Sequence, residues 1–144
     1  MTTSSSTNVT AGRSRGLHIA LWIVQGLLAL AFLFTGFTKL TQPMAALAAA
    51  MPWTADVPAA LVRFIGFAEL AGALGLILPS LTRIQPRLTV LAAIGLVLVM
   101  LLAAPFHLSR DEGAMMMPNL VLAALAAFVA WGRAKKAPIA PRHS

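Results

Sequence analysis

The chain has 144 residues, 59% hydrophobic and 10% charged, with a formal net charge of +7. That is too apolar for a soluble domain, whose surface must be covered by polar side chains, and it marks an integral membrane protein. Its basic residues flank apolar runs, so the charge orients the chain in a bilayer and implies no nucleic-acid partner; the lack of cysteine excludes a disulfide framework, a thiolate metal site and thiol redox chemistry by this chain.

Residues 1–16 form a polar Ser/Thr tail ending in Arg13 and Arg15, too poor in apolar residues to fold alone, and are expected to be disordered on the cytoplasmic side. The Asn8-Val9-Thr10 sequon is there a chance match. The following apolar run, about 17–39, exceeds the ~7–15 residues of a cleavable signal core and reads as an uncleaved first span. His18, Trp22, Gln25, Ala29, Phe32, Gly36 and Lys39 share one face of it at the seven-residue spacing of packed helices, so this seam faces protein.

Between spans lies TQPMAALAAAMPWTADVP, too short between its prolines to cross a bilayer. It is expected as a short surface helix with Trp53 at the headgroup level. The second span, about 59–78, is expected to stop at Pro79. It carries Arg63 and Glu69, which at ~100° per residue point ~120° apart and cannot pair along the helix. Gly66, Gly72 and Ala73 share the face of Glu69, a small-residue surface that lets helices approach closely in lipid, so the carboxylate points into the bundle. Arg63 is expected to snorkel to water.

The third span, about 86–106, opens on Pro86 and closes near His107; the fourth, about 114–132, carries Asn119 along a face with Ala123, Ala126 and Ala130. Residues 134–144 are a basic cytoplasmic tail. Eight of the eleven Lys and Arg (Arg13, Arg15, Arg83, Arg87, Arg133, Lys135, Lys136 and Arg142) fall on the side of the two termini, whereas all four acids fall on the other with Lys39, Arg63 and Arg110. The positive-inside rule therefore makes both termini cytoplasmic. The expected fold is all-α, an integral membrane four-helix bundle over residues 17–133.

An embedded carboxylate is either protonated or partnered, because an isolated charge costs several kcal/mol. Lys39, His107 and Asn119 share the outer half of the bundle with Glu69, each from a different span. Lys39 is the expected partner, helped by His107 or Asn119. His18 and His107 sit at opposite faces, so no bis-histidine haem fits within one chain, and no metal site is expected.

The segments FLFTGFTKL (32–40), GFAELAGALGLILP (66–79), LTVLAAIGLVLVMLLAAPFH (88–107) and PNLVLAALAAFVAWGR (118–133) together resemble the DoxX family of small four-helix bacterial membrane proteins, in its DoxX-like branch. The resemblance implies a bundle in the bacterial cytoplasmic membrane and a role like that of membrane subunits of thiosulfate:quinone oxidoreductase or of partners in membrane oxidoreductase complexes. Two functions stay open. One is an accessory subunit serving a membrane quinone, with Glu69 and His107 as proton-handling groups, Lys39, Asn119 and Gln25 as binding groups, and Gly36, Gly66, Gly72 and Ala73 as packing positions; a soluble or membrane oxidoreductase partner supplies the electrons, because no cofactor is intrinsic. The other is a non-catalytic scaffold or assembly factor, in which the polar cluster holds the helices in register; a homo-oligomer is compatible with both. A small proton-coupled transporter is a third reading, disfavoured because the chain lacks paired halves or broken helices.

Overall fold

The computed structural model describes residues 6–143, so the first five residues of the polar tail and Ser144 lie outside the described residues. The chain forms α1 (Ser6–Thr41), α2 (Met44–Ala50), a 3-10 turn (Pro52–Ala55), α3 (Ala59–Thr82), α4 (Arg87–Ser109) and α5 (Gly113–Trp131), which runs into a π-helical turn (Gly132–Lys136). Four segments are long and apolar enough to cross a membrane: Arg15–Thr41, Ala59–Thr82, Arg87–Ser109 and Gly113–Lys136. This is an all-α membrane four-helix bundle.

α1 packs on α3, α3 on α4, α4 on α5, and α5 closes the ring against α1. The core is a column of Leu28, Phe32, Leu76, Leu96, Met100, Ala126 and Val129. Large apolar side chains such as Leu30, Phe34, Phe64 and Leu102 are exposed around it, as lipid contact requires. On α1 the buried seam contains Leu21, Gln25, Leu28, Ala29, Phe32, Gly36 and Lys39, whereas His18 at its start is exposed.

Three boundaries differ from the sequence expectation. α1 begins at Ser6, inside the segment assigned to the polar tail. α3 continues through Pro79 to Thr82 instead of stopping there. Pro79 removes the N–H that would bond the Gly75 carbonyl one turn back, and the turn beside it is held from outside the helix: Gln25 of α1 donates from Nε2 to the adjacent Leu76 carbonyl at 2.6 Å. Finally, the C-terminal segment folds back over the bundle end: the Arg142 amide donates to the Arg83 carbonyl at 2.9 Å, Arg83 Nε donates to the Ala140 carbonyl at 2.9 Å, and Ala137 is buried. Arg83 itself adopts φ 62°, the left-handed conformation that ends α3.

Two kinds of close approach set the helix spacing. A Cβ added to Gly36 would lie 2.7 Å from the Gly66 carbonyl oxygen, and one added to Gly66 would lie 2.7 Å from Lys39 Cβ, so α1 and α3 touch backbone to backbone here. Gly72 and Gly75 face α4 instead, against Leu96 and Ala92. Ala73 is in the core, 1% exposed. Near the termini, Ser80 and Thr89 hydroxyls share a buried hydrogen bond of 2.7 Å that ties α3 to α4.

Candidate functional site

Lys39 and Glu69 meet directly beside the Gly36–Gly66 crossing. Lys39 Nζ donates to Glu69 Oε2 at 2.8 Å, with the two side chains 6% and 5% exposed. The glycines make this possible by bringing the backbones together, so two long side chains from antiparallel helices can pair inside the bundle. Arg63 is partly exposed and also has protein partners. Its guanidinium donates to the carbonyls of Lys39 and, at 2.8 Å, of Gln42, and so caps carbonyls that α1 leaves unpaired at its C-terminus.

His107 joins a different network. Its Nδ1 is 2.8 Å from Glu112 Oε2, and Arg110 Nε donates to Glu112 Oε1 at 3.1 Å. Arg110 also reaches Asp56 at 2.7 Å, linking the α4–α5 corner to the segment after the 3-10 turn. Trp53 packs edge-on against Phe106 and His107 at centroid distances of 6.0 and 6.4 Å. The hydrogen bond from His107, then Arg110, holds the Glu112 carboxyl below the usual carboxylate range against a smaller opposing effect of burial.

Neither expected helper therefore contacts Glu69 by hydrogen bond. His107 is claimed by Glu112 because the corner between α4 and α5, with Asp111 at φ 56°, brings that carboxylate back over the ring. Asn119 is half-buried, and its amide makes no hydrogen bond among the described residues.

The opposite end holds a cluster that sequence reasoning missed. Arg133 is only 4% exposed. Its Nε donates to Gln25 Oε1 at 2.6 Å, its Nη1 lies 2.9 Å from His18 Nδ1 and donates to the Ala137 carbonyl at 3.1 Å, and its guanidinium sits 5.2 Å from the Trp22 ring centroid. Trp22 in turn donates to His18 Nε2 at 3.1 Å. Gln25 thus belongs to the Arg133 end and not to the group around Glu69. The sequence signal is faint: Gln25 and His18 share the seam of α1 expected to face protein, but nothing distinguishes Arg133 from the basic residues that follow it.

A family model described as the DoxX-like family matches residues 23–129 of this four-helix chain. The chain belongs to the DoxX-like family. The match takes in the Lys39–Glu69 pair, His107, Glu112 and Asn119 and stops just before Arg133. No curated protein and no solved structure matches this DoxX-like chain significantly.

In chemical terms the DoxX-like bundle separates two kinds of group. The Lys39–Glu69 pair is closed and neutral overall, which suits helix register. The His107–Glu112 pair lies at the bundle end, where an imidazole oriented by a carboxylate can exchange a proton. Among the described residues no group of three or more His, Asp or Glu is placed to hold a metal ion.

Proposed function

We propose that the chain is an accessory membrane subunit of a quinone-linked oxidoreductase in the bacterial cytoplasmic membrane, with no redox centre of its own. The observation that carries this reading is the His107–Glu112 pair, packed against Trp53 and Phe106 at the outer end of the bundle. With Nδ1 occupied by the carboxylate, Nε2 is the nitrogen left to handle a proton, and the flanking aromatic edges offer an apolar surface for a planar ring. A quinone supplies two-electron carrier chemistry when bound; the electrons come from a partner oxidoreductase. His107 accepts a hydrogen bond at Nε2 from a hydroxyl of the reduced ring, and Glu112, bonded to Nδ1–H, keeps the imidazole in the tautomer that leaves Nε2 free to take that proton. Glu69 is withdrawn from proton handling by its closed pair with Lys39.

The test is a mild-detergent purification followed by organic extraction and a partner pull-down. Wild-type protein is expected to retain quinone and co-purify with an oxidoreductase, and His107→Gln to lose the quinone while remaining folded, with a melting temperature lowered no more than that of Glu112→Gln. If neither quinone nor oxidoreductase is retained, the scaffold reading takes its place. That second reading rests on a specific observation, the fully paired Lys39–Glu69 contact at a glycine crossing, which needs no ligand.

A further inference from the structure

The end of the bundle that holds the chain termini is basic and contains a buried cation that no acidic side chain among the described residues neutralises. All four acidic side chains lie elsewhere: Glu69 pairs with Lys39, Asp56 and Glu112 with Arg110, and Asp111 sits in the same corner as Glu112. Arg133 is surrounded only by neutral partners, and its Nη2 is buried with no hydrogen-bond partner. An uncompensated buried charge is costly, and removing the counter-charge of a buried ion costs several kcal/mol. Orienting the chain by positive charge requires basic residues at this end but does not require burying one of them.

Two adjoining hollows lie at this end of the bundle. The first is a groove lined by Arg83, Gln85, Arg87, Arg142 and His143, between the α3–α4 turn and the returning C-terminal segment. The second shares Arg83 and reaches inward to His18 and Trp22, the two side chains against which Arg133 packs. Arg83 and Arg142 are fixed to each other through the Arg142 amide and the Arg83 carbonyl, so the groove has a built wall. Ile84 in the first hollow and Leu81 in the second are exposed with relative accessibilities of 62% and 64%, an apolar flank beside the charges.

We propose that this groove binds the phosphate of an anionic phospholipid headgroup. Arg83, Arg87 and Arg142 contact the phosphate, Arg133 supplies positive charge from behind His18 and Trp22, and the acyl chains lie along the apolar flank. Basic pockets at the membrane surface bind anionic headgroups in this way, and the attraction of a buried charge is less screened by salt than that of an exposed one. The same phosphate chemistry could be met by free phosphate, but only the lipid also uses the apolar flank.

Full-length protein in detergent is titrated with phosphatidylglycerol, phosphatidylcholine or sodium phosphate, and bound lipid is counted by native mass spectrometry alongside the melting temperature. Phosphatidylglycerol is expected to bind and stabilise, and the other two to do so far more weakly. Arg83→Gln with Arg142→Gln should weaken phosphatidylglycerol binding on the order of fivefold per charge removed, since each basic residue near a surface contributes ~1 kcal/mol. Lys135→Gln with Lys136→Gln, exposed and outside the groove, should change it by less than about twofold. Equal losses from both double variants would mean general surface attraction, and equal effects of the two lipids, or of phosphate alone, would likewise overturn the proposal. Arg133→Lys, which keeps the charge, should retain binding; if it does not fold, the comparison between the groove and Lys135/Lys136 variants still decides.

Discussion

At the residue scale, Lys39 and Glu69 are worth more as a pair than either is alone. Lys39→Met leaves a carboxylate buried without its partner and is expected to destabilise the protein by about 3–5 kcal/mol, whereas Lys39→Met with Glu69→Gln recovers much of that loss. A thermal-melt double-mutant cycle in detergent reads this directly, and additive losses would contradict the contact. Glu112 makes a second, pH-dependent case. Its hydrogen bond to His107 holds its folded pKa below the usual carboxylate value, so its contribution is present above that value and disappears as pH falls through the lowered one. The melting temperatures of wild type and Glu112→Gln should therefore differ at neutral pH and converge on acidification. The Lys39–Glu69 contact was legible in the sequence because both residues interrupt apolar spans and both share a face with glycine. The His107–Glu112 contact was not, because it depends on how a short corner turns, and residue spacing does not specify a turn with a left-handed Asp111.

At the element scale, the glycines divide into those that set a helix crossing and those that do not. Gly66→Ala forces a methyl against Lys39 Cβ and is expected to cost about 1–3 kcal/mol, as overpacking does. Gly95→Ala meets nothing within 4 Å and should be neutral or slightly stabilising, because alanine favours a helix by about 1 kcal/mol over glycine. Thermal melts of the two variants check the contrast. The Pro79 boundary shows why local signals fell short. A proline read alone ends a helix, but α3 continues past it where α1 places Gln25 against the Leu76 carbonyl. Gln25→Leu would remove that donor and also an acceptor of Arg133, so a loss of at least about 1–3 kcal/mol is expected, measurable by the same melts.

At the scale of the whole molecule, charge is segregated by end, with all four acids and their basic partners toward the α1–α3 connection and Arg83, Arg87, Arg133 and Arg142, unpaired among the described residues, toward the termini. Hydropathy makes the four spans and their pairing legible, since each span is long and apolar and each connection short. The fate of Arg133 was not legible: a basic residue after a last span looks the same whether it turns outward or is folded under a returning tail. The charge asymmetry predicts that a single cysteine at Ala134 is protected from an impermeant thiol reagent outside intact cells and that one at Ala55 is labelled. The reverse pattern would place the His107 network on the cytoplasmic side.

The ion pair between α1 and α3 also bears on how the chain enters the bilayer during synthesis. Glu69 lies in the interior of α3, and acidic residues there oppose insertion of an isolated helix by roughly 2–3 kcal/mol on translocation scales. Lys39 has emerged 30 residues earlier in the chain. α1 is therefore expected to remain beside the insertion channel until α3 arrives, so that the two enter lipid as a neutral hairpin. In an insertion assay, α3 preceded by α1 should integrate more efficiently than α3 alone, and Lys39→Met should abolish the advantage.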